Sequence, residues 1–237
     1  MHPMLNIAQR AARAAGNVIA RKIDQGGFSV EEKRKDDLVT DVDRECENTI
    51  SSMLLKSYRD HAILGEEGGL QGNKDSEYVW VIDPIDGTTN FVKGLPHCAV
   101  SIGLQHKGRT IVGVVFDPFR DEGTAFPTRY RERLDAYMEL FTRLINQCAD
   151  VRRSGSASLD LCYAACGRYD AYLEQGLKPW DFTAGELILR ESGGIATDFA
   201  GGPGFTKSGN IVSGNPQIVQ NLLAKVCDAP NLPGILR

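Results

Sequence analysis

The sequence predicts a mixed α+β fold of layered sheets and helices, and three observations predict it. Strand-like apolar runs and amphipathic helical stretches alternate irregularly along the chain, without the strict strand–helix repeat of a simple parallel sheet. Two strand-like runs flank Lys107-Gly108 as a hairpin does, so antiparallel neighbours are present. No internal repeat, low-complexity tract or long linker interrupts the 237 residues, which read as one large domain or two lobes sharing a cleft.

The elements follow in order. Leu5, Ala8, Ala12, Ala15 and Ile19 recur at three- and four-residue spacing, the stripe of an amphipathic first helix. Arg10, Arg13, Arg21 and Lys22 precede the first acid, as in a transit peptide, but the regular apolar stripe favours a folded helix of a cytoplasmic protein. Asp41 to Tyr58 reads as a second helix, with Cys46, Ile50, Met53, Leu54 and Tyr58 marking one face. Ala62–Gly65 and Tyr78–Ile82 read as short strands ending at acidic residues, with a polar loop from Gly68 to Glu77 between them. The hairpin strands are Ala99–Gln105 and Thr110–Phe116. A helix is expected from Tyr130 to Asn146, with Leu134, Met138, Phe141 and Ile145 on one side, and another from Ser158 to Cys166. Ala171–Leu173 is a short strand. A helix beginning near Asp181 stops at Gly193-Gly194, the glycine-rich end of a C-cap. Ile211–Ser213 is a strand, and Pro216 opens the last helix at its first turn, where proline is tolerated.

Composition narrows the function. Lysine plus arginine is 27 against 31 for aspartate plus glutamate, a net charge of −4, which argues against a dedicated binder of nucleic acid or membrane surfaces. No apolar run approaches the roughly 18 residues of a membrane helix. Cys46, Cys98, Cys148, Cys162, Cys166 and Cys227 are scattered, and no CxxC pair occurs; Cys162 and Cys166 share a helix face, so all six read as reduced thiols.

The sharpest segment is Trp80-Val-Ile-Asp83-Pro84-Ile85-Asp86-Gly87-Thr88-Thr89-Asn90. An apolar strand delivers Asp83, Pro84 fixes a turn, and Asp86 follows three residues later. Two carboxylates on so tight a turn repel each other unless a cation lies between them, and hard oxygen ligands suit Mg²⁺ or Mn²⁺. Gly87, Thr88 and Thr89 add backbone N–H groups at a helix start, a natural phosphate cradle. For a bare DxxD, an Asp-rich turn capping a helix is the plainer alternative. Asp117-Pro118-Phe119-Arg120-Asp121 has a similar outline without the Gly-Thr element and reads as a turn.

Two further acidic sites bear on that choice. Gly65-Glu66-Glu67-Gly68-Gly69 puts two carboxylates at a strand end, and by itself could be a solvated turn. Lys178-Pro179-Trp180-Asp181 puts an aspartate at a helix start, and alone Asp181 is an N-cap. No GxSxG elbow, Walker A loop or HExxH occurs, and Gly201-Gly-Pro-Gly204-Phe-Thr-Lys207-Ser208 lacks the glycine before lysine that a phosphate loop needs, so it reads as a surface turn.

In combination, Glu66, the DPIDGTTN run and the Trp180-Asp181 helix start resemble the inositol monophosphatase family of Mg²⁺-dependent, lithium-sensitive phosphatases. The likeness extends to Asp37-Leu-Val-Thr40-Asp41-Val42-Asp43 and to Gly193-Gly194, and covers nearly the whole chain in order. It implies a layered αβαβα sandwich of the inositol monophosphatase and fructose-1,6-bisphosphatase type, spanning 1–237 as one catalytic unit. Lobe 1–122 would carry the metal and phosphate motifs, and lobe 123–237 the Asp181 helix and the substrate side. Glu66, Asp83 and the carbonyl of Ile85 would bind one metal, Asp83, Asp86 and Asp181 a second, and Glu66 would help hold a third through water. The ions would be Mg²⁺, with Mn²⁺ as a substitute and Li⁺ as inhibitor. Thr88, hydrogen-bonded to Asp43, would orient the attacking water; with Glu66 these are the catalytic residues. The backbone of Gly87 and Thr88 would hold phosphate. Glu174 would bind inositol hydroxyls in a pocket that Ala157 lines and Asp181 borders, while Asp160 takes no role.

The reaction implied is hydrolysis of inositol 1-phosphate or a similar sugar or polyol phosphate. A nucleotide 3′-phosphatase and a fructose bisphosphatase are the enzymatic alternatives. A homodimer is implied too. One bacterial branch of the family is similar to proteins that bind transcription antitermination factors and RNA polymerase; Arg152-Arg153 and Tyr130–Arg133 could serve such contacts, although solvated charge is the plainer reading. Two departures stand out. Glu31-Glu32-Lys33-Arg34-Lys35-Asp36 offers no secure counterpart of the family's metal-site lysine. After Glu122 the family continues through a glycine-rich hairpin and a strand, whereas this chain passes directly to Gly123. About thirty residues are missing, through a true shortening or an omitted segment, and none of the assigned metal ligands lies in that gap.

Overall fold

A computed structural model describes residues 3–34, 37–119 and 134–227. The chain begins with α1 (Pro3–Gln25), a hairpin of β1 (Val30–Arg34) and β2 (Asp37–Thr40), and α2 (Asp41–Ser57). Then come β3 (Ala62–Gly65), β4 (Gly69–Gly72), β5 (Tyr78–Asp86), the short α3 (Thr88–Val92), β6 (Ala99–His106) and β7 (Arg109–Phe116). The second half holds α4 (Leu134–Ile145), α5 (Ala157–Ala165), β8 (Ala171–Glu174), α6 (Pro179–Glu191), β9 (Ile195–Thr197), α7 (Phe205–Ser208), β10 (Ile211–Gly214) and α8 (Pro216–Leu222), the last running into a π-helical turn at Leu223–Cys227.

Five layers result. The main sheet has the order β4-β3-β5-β6-β7, in which β3 and β5 are parallel and the other pairs antiparallel. α1 and α2 cover one face: Ala8, Ala11, Ala12, Ala15 and Ile19 meet Cys46, Ile50 and Leu54 over Trp80, Ile82, Ile102 and Leu104. Alanines along α1 bring the two helix backbones close, so the stripe read from the sequence is the packed one. On the opposite face lie α5 and α6, which also touch the second sheet, β8-β10-β9. Leu140 and Leu144 of α4 and Val219 and Leu222 of α8 close that sheet's outer face. This is the expected αβαβα sandwich.

The joint between the main sheet and α6 explains two glycines. Gly103 and Gly113 face each other across β6 and β7. A Cβ on Gly103 would come within 2.5 Å of the Thr183 methyl, and one on Gly113 within 2.7 Å of the Ala184 carbonyl. Side chains there would lift α6 off the sheet.

The structure corrects some expectations, fills in stretches left without one and bears out others. The stretch expected as polar loop, 68–77, contains β4, because Leu64 and Leu70 pair across β3 and β4. The charged stretch around Glu31–Arg34 is a strand, held by pairing with β2. On α4, Leu140 and Leu144 face the core while Ile145 is half exposed, so the inward face lies about one residue from the one expected; Tyr130–Arg133 lie outside the described residues. Of the Gly201–Ser208 stretch expected as a surface turn, the last four residues form α7, and the Gly202 and Gly204 N–H groups before it donate to Asp198 at 2.8 and 2.9 Å, which leaves them no phosphate to cradle. At Asp117-Pro118-Phe119 the Phe119 N–H donates to the Asp117 carboxylate at 2.7 Å, the expected turn.

Candidate active site

Side chains three apart on a regular strand point to opposite faces. Asp83 and Asp86 nevertheless converge, because β5 steps three residues, Asp83 to Asp86, where β6 steps two, Ser101 to Ala99. The extra residue is a bulge at Pro84 and Ile85, and Pro84 has no N–H to give to the ladder. Opposite Asp83, the Ser101 hydroxyl donates to the Trp180 carbonyl at 3.2 Å, tying the start of α6 to the strand. Asp181 is therefore not an N-cap, as it would be alone. Lys178 is the N-cap, Pro179 begins the helix, and the Asp181 carboxylate in the first turn accepts the Lys178 N–H at 2.7 Å.

Carboxylate oxygens of Asp83, Asp86 and Asp181 lie within 4.8 Å of one another, all three residues buried, the one such trio among the described residues. Oδ1 of Asp83 has no hydrogen-bond donor there. Burial, then Glu66, Asp86 and Asp181, push the Asp83 carboxyl well above the usual carboxylate range. Burial likewise pushes Glu66 up to about 8, opposed by the Lys33 ammonium and reinforced by Asp181. Buried acids facing one another are costly as anions unless a cation joins them. The donor set is all hard oxygen, and it fits a divalent ion such as Mg²⁺ or Mn²⁺. Glu66 stands outside the tight trio but within its electrostatic reach.

Asp43, at the start of α2, holds the next layer. Thr40 donates to Oδ2 of Asp43 through its N–H at 2.8 Å and its hydroxyl at 2.5 Å. Oδ1 lies 3.0 Å from the Thr88 hydroxyl, and the Ile85 carbonyl is also 3.0 Å from that hydroxyl. The hydrogen bond between Thr88 and Asp43 that the resemblance implies is thus present. Gly87 adopts φ +98°, the left-handed turn that starts α3, and a Cβ there would stand 3.1 Å from the carbonyls of His97 and Gly155.

Two residues that sequence reasoning missed shape the Glu66 turn. The buried Glu47 accepts the N–H groups of Glu67 and Gly68 at 2.8 and 2.7 Å, and a Cβ at Gly65 would fall 2.5 Å from its carboxylate. The signal was an acid beside the apolar face of α2. Lys33 from β1 places its ammonium 3.6 Å from Glu66 and in contact with Glu67, so the charge run does supply a lysine to this end of the site.

On the far side, Ala157 is buried at the first turn of α5, and Glu174 at the end of β8 pairs with Arg153 at 2.7 Å. The buried Tyr172 hydroxyl and the Gln175 amide nitrogen have no partner among the described residues. Asp160, close by, accepts the Ser154 hydroxyl, and burial pushes it up to about 7. Oδ2 of Asp86 accepts three donors from this segment: the Ser156 hydroxyl at 2.7 Å, the Ser158 N–H at 2.7 Å and the Ser158 hydroxyl at 2.5 Å.

The sequence pattern of the inositol monophosphatase family matches residues 1–133 and 123–230. The Nus factor SuhB of Vibrio cholerae serotype O1 is 45% identical over 262 aligned positions, covering 98% of each chain. That alignment is 25 positions longer than this chain, so at least that many positions of the relative face no residue here. The extragenic suppressor protein suhB of Bartonella henselae superimposes with a TM-score of 0.87 at 30% identity, over 94% of this chain and 98% of that one. The staphylococcal SaIMPase-II, in a crystal structure with inositol monophosphate bound, gives a TM-score of 0.76 at 27% identity over 94% of each chain.

Proposed function

Because the chain belongs to the inositol monophosphatase family, we propose that it is a Mg²⁺-dependent phosphomonoesterase acting on inositol 1-phosphate and related polyol or sugar phosphates. The observation that carries this reading is the buried trio Asp83, Asp86 and Asp181 with the donorless Oδ1 of Asp83 among them. Those residues, with Glu66 and the Ile85 carbonyl beside them, would hold two to three ions. Bound Mg²⁺ would polarise the phosphoryl oxygens, make water a nucleophile at neutral pH and stabilise the leaving alkoxide. Thr88 has one hydroxyl proton; giving it to Asp43 leaves lone pairs that accept from, and so aim, the attacking water. N–H groups of Gly87 and Thr88 take the phosphate oxygens. Glu174, fixed by Arg153, accepts from the hydroxyls of the polyol, and Ala157 is small enough to admit its ring. The inositol monophosphate in SaIMPase-II supports the substrate class.

The test is phosphate release from inositol 1-phosphate with Mg²⁺ and with EDTA, on protein of known intact mass. Metal-dependent turnover is expected, with millimolar-type inhibition by Li⁺; turnover only on a nucleotide 3′-phosphate or fructose bisphosphate would move the substrate elsewhere, and none on any ester would refute the phosphatase reading. A second reading, compatible with the first, rests on the Nus factor relative: a homodimer that partners transcription antitermination factors or RNA polymerase in the cytoplasm. In the described residues no helix is long and apolar enough to cross a membrane. A pull-down with the Asp86→Asn protein should still recover antitermination factors; repeated failure would remove that reading.

A further inference from the structure

Every hydrogen bond that Asp86 accepts among the described residues falls on Oδ2, where Ser156 and Ser158 bring three donors to one atom. Three donors share the two lone-pair directions of Oδ2, so a cation could use that oxygen only by displacing them, at a cost that falls with each donor removed, and Oδ1 is the oxygen left open. Both serines are completely buried, Ser156 as the N-cap of α5 and Ser158 in its first turn, so neither hydroxyl has solvent as an alternative partner. Asp83 differs from Asp86 in this respect, because its Oδ1 has no donor.

We propose that the Ser156–Ser158 clamp is a metal-selectivity device that confines Asp86 to one-oxygen coordination and so favours Mg²⁺ over Ca²⁺. The proposal rests on the metal-site reading above. Mg²⁺ demands near-octahedral geometry with single oxygens at short range, whereas Ca²⁺ takes six to eight oxygens and readily uses both oxygens of one carboxylate. A carboxylate whose second oxygen is tied to three donors cannot swing to offer both. Selectivity between the two ions turns on ligand number and flexibility, and the clamp fixes both at Asp86. The same two serines flank Ala157, so the segment that lines the substrate side also sets the posture of a metal ligand.

The test needs no substrate. Mg²⁺ and Ca²⁺ are each titrated calorimetrically into the metal-stripped full chain, its Ser158→Ala variant and the Ser156→Ala/Ser158→Ala variant, with circular dichroism and melting curves recorded in parallel. Wild type should bind Mg²⁺. The ratio of Ca²⁺ to Mg²⁺ affinity should rise about tenfold in the single variant, the scale of one lost hydrogen bond to a charged group, and further in the double variant. An unchanged ratio in both folded variants would overturn the clamp while leaving the metal site standing. Failure of the wild type to bind either ion would overturn both. Should the double variant not fold, the single variant, which keeps the Ser158 N–H donor and removes one oxygen, decides the question.

Discussion

Asp83 is held in two conflicting roles, as a core residue and as an anion. Its replacement by asparagine should lower turnover at least about a hundredfold, the loss that a merely supporting residue of a metal site can cause. In the metal-free protein the same change should raise the melting temperature, because it removes an acid that burial and Glu66 both disfavour as an anion. Steady-state rates and calorimetry on Asp83→Asn check both halves. Asp160 gives a pH prediction. Its folded pKa of about 7 lies above the ordinary 3.8, so the stability it contributes is complete below about pH 4, is lost between about pH 4 and 7, and is absent above. Asp160→Asn should therefore match wild type near pH 4 and exceed it at pH 8, by on the order of a few kcal/mol, in denaturant melts at the two pH values. At this scale the sequence was legible where chemistry and chain proximity coincide, as at Asp83, Asp86 and Thr88. It was silent on Glu47, Lys33, Ser156 and Ser158, whose partners lie 20 to 72 residues away and are assigned by the fold alone.

α1 and α2, whose burial is periodic, could be read directly from spacing, and β5 from its continuous apolar run. β1 and β4 could not, because edge and hairpin strands rest on backbone pairing with a neighbour and need no apolar alternation. The β5 bulge was hidden for a related reason: DxxD is visible in sequence, but its convergence on one face depends on the register of β6. The bed of α6 on Gly103 and Gly113 is the joint that sets Asp181 against Asp83. Gly113→Ala should cost about 1–3 kcal/mol through overpacking, and should weaken Mg²⁺ binding although it touches no ligand. Denaturant unfolding and calorimetric titration would show it; unchanged metal affinity with reduced stability would mean that α6 shifts without carrying Asp181.

Across the whole molecule, the sandwich brings acids from both halves of the chain to one point, Asp83 and Asp86 from the main sheet and Asp181 from the helix layer beneath it. A cation seated there ties the layers together. Saturating Mg²⁺ at about a hundred times its dissociation constant should stabilise the fold by about 2.7 kcal/mol, seen as a rise in melting temperature that EDTA reverses and that Asp181→Asn reduces. The same arrangement fixes an order of events at birth. Nearly a hundred residues separate Asp86 from Asp181 in the chain, and contacts so distant in sequence form late. Asp83 and Asp86 are neighbours from the start, but the third carboxylate joins them only once α6 is seated on the main sheet. A cation held by all three acids would therefore find its full set of oxygens only in the completed fold, so that its binding would report on the assembled sandwich as a whole.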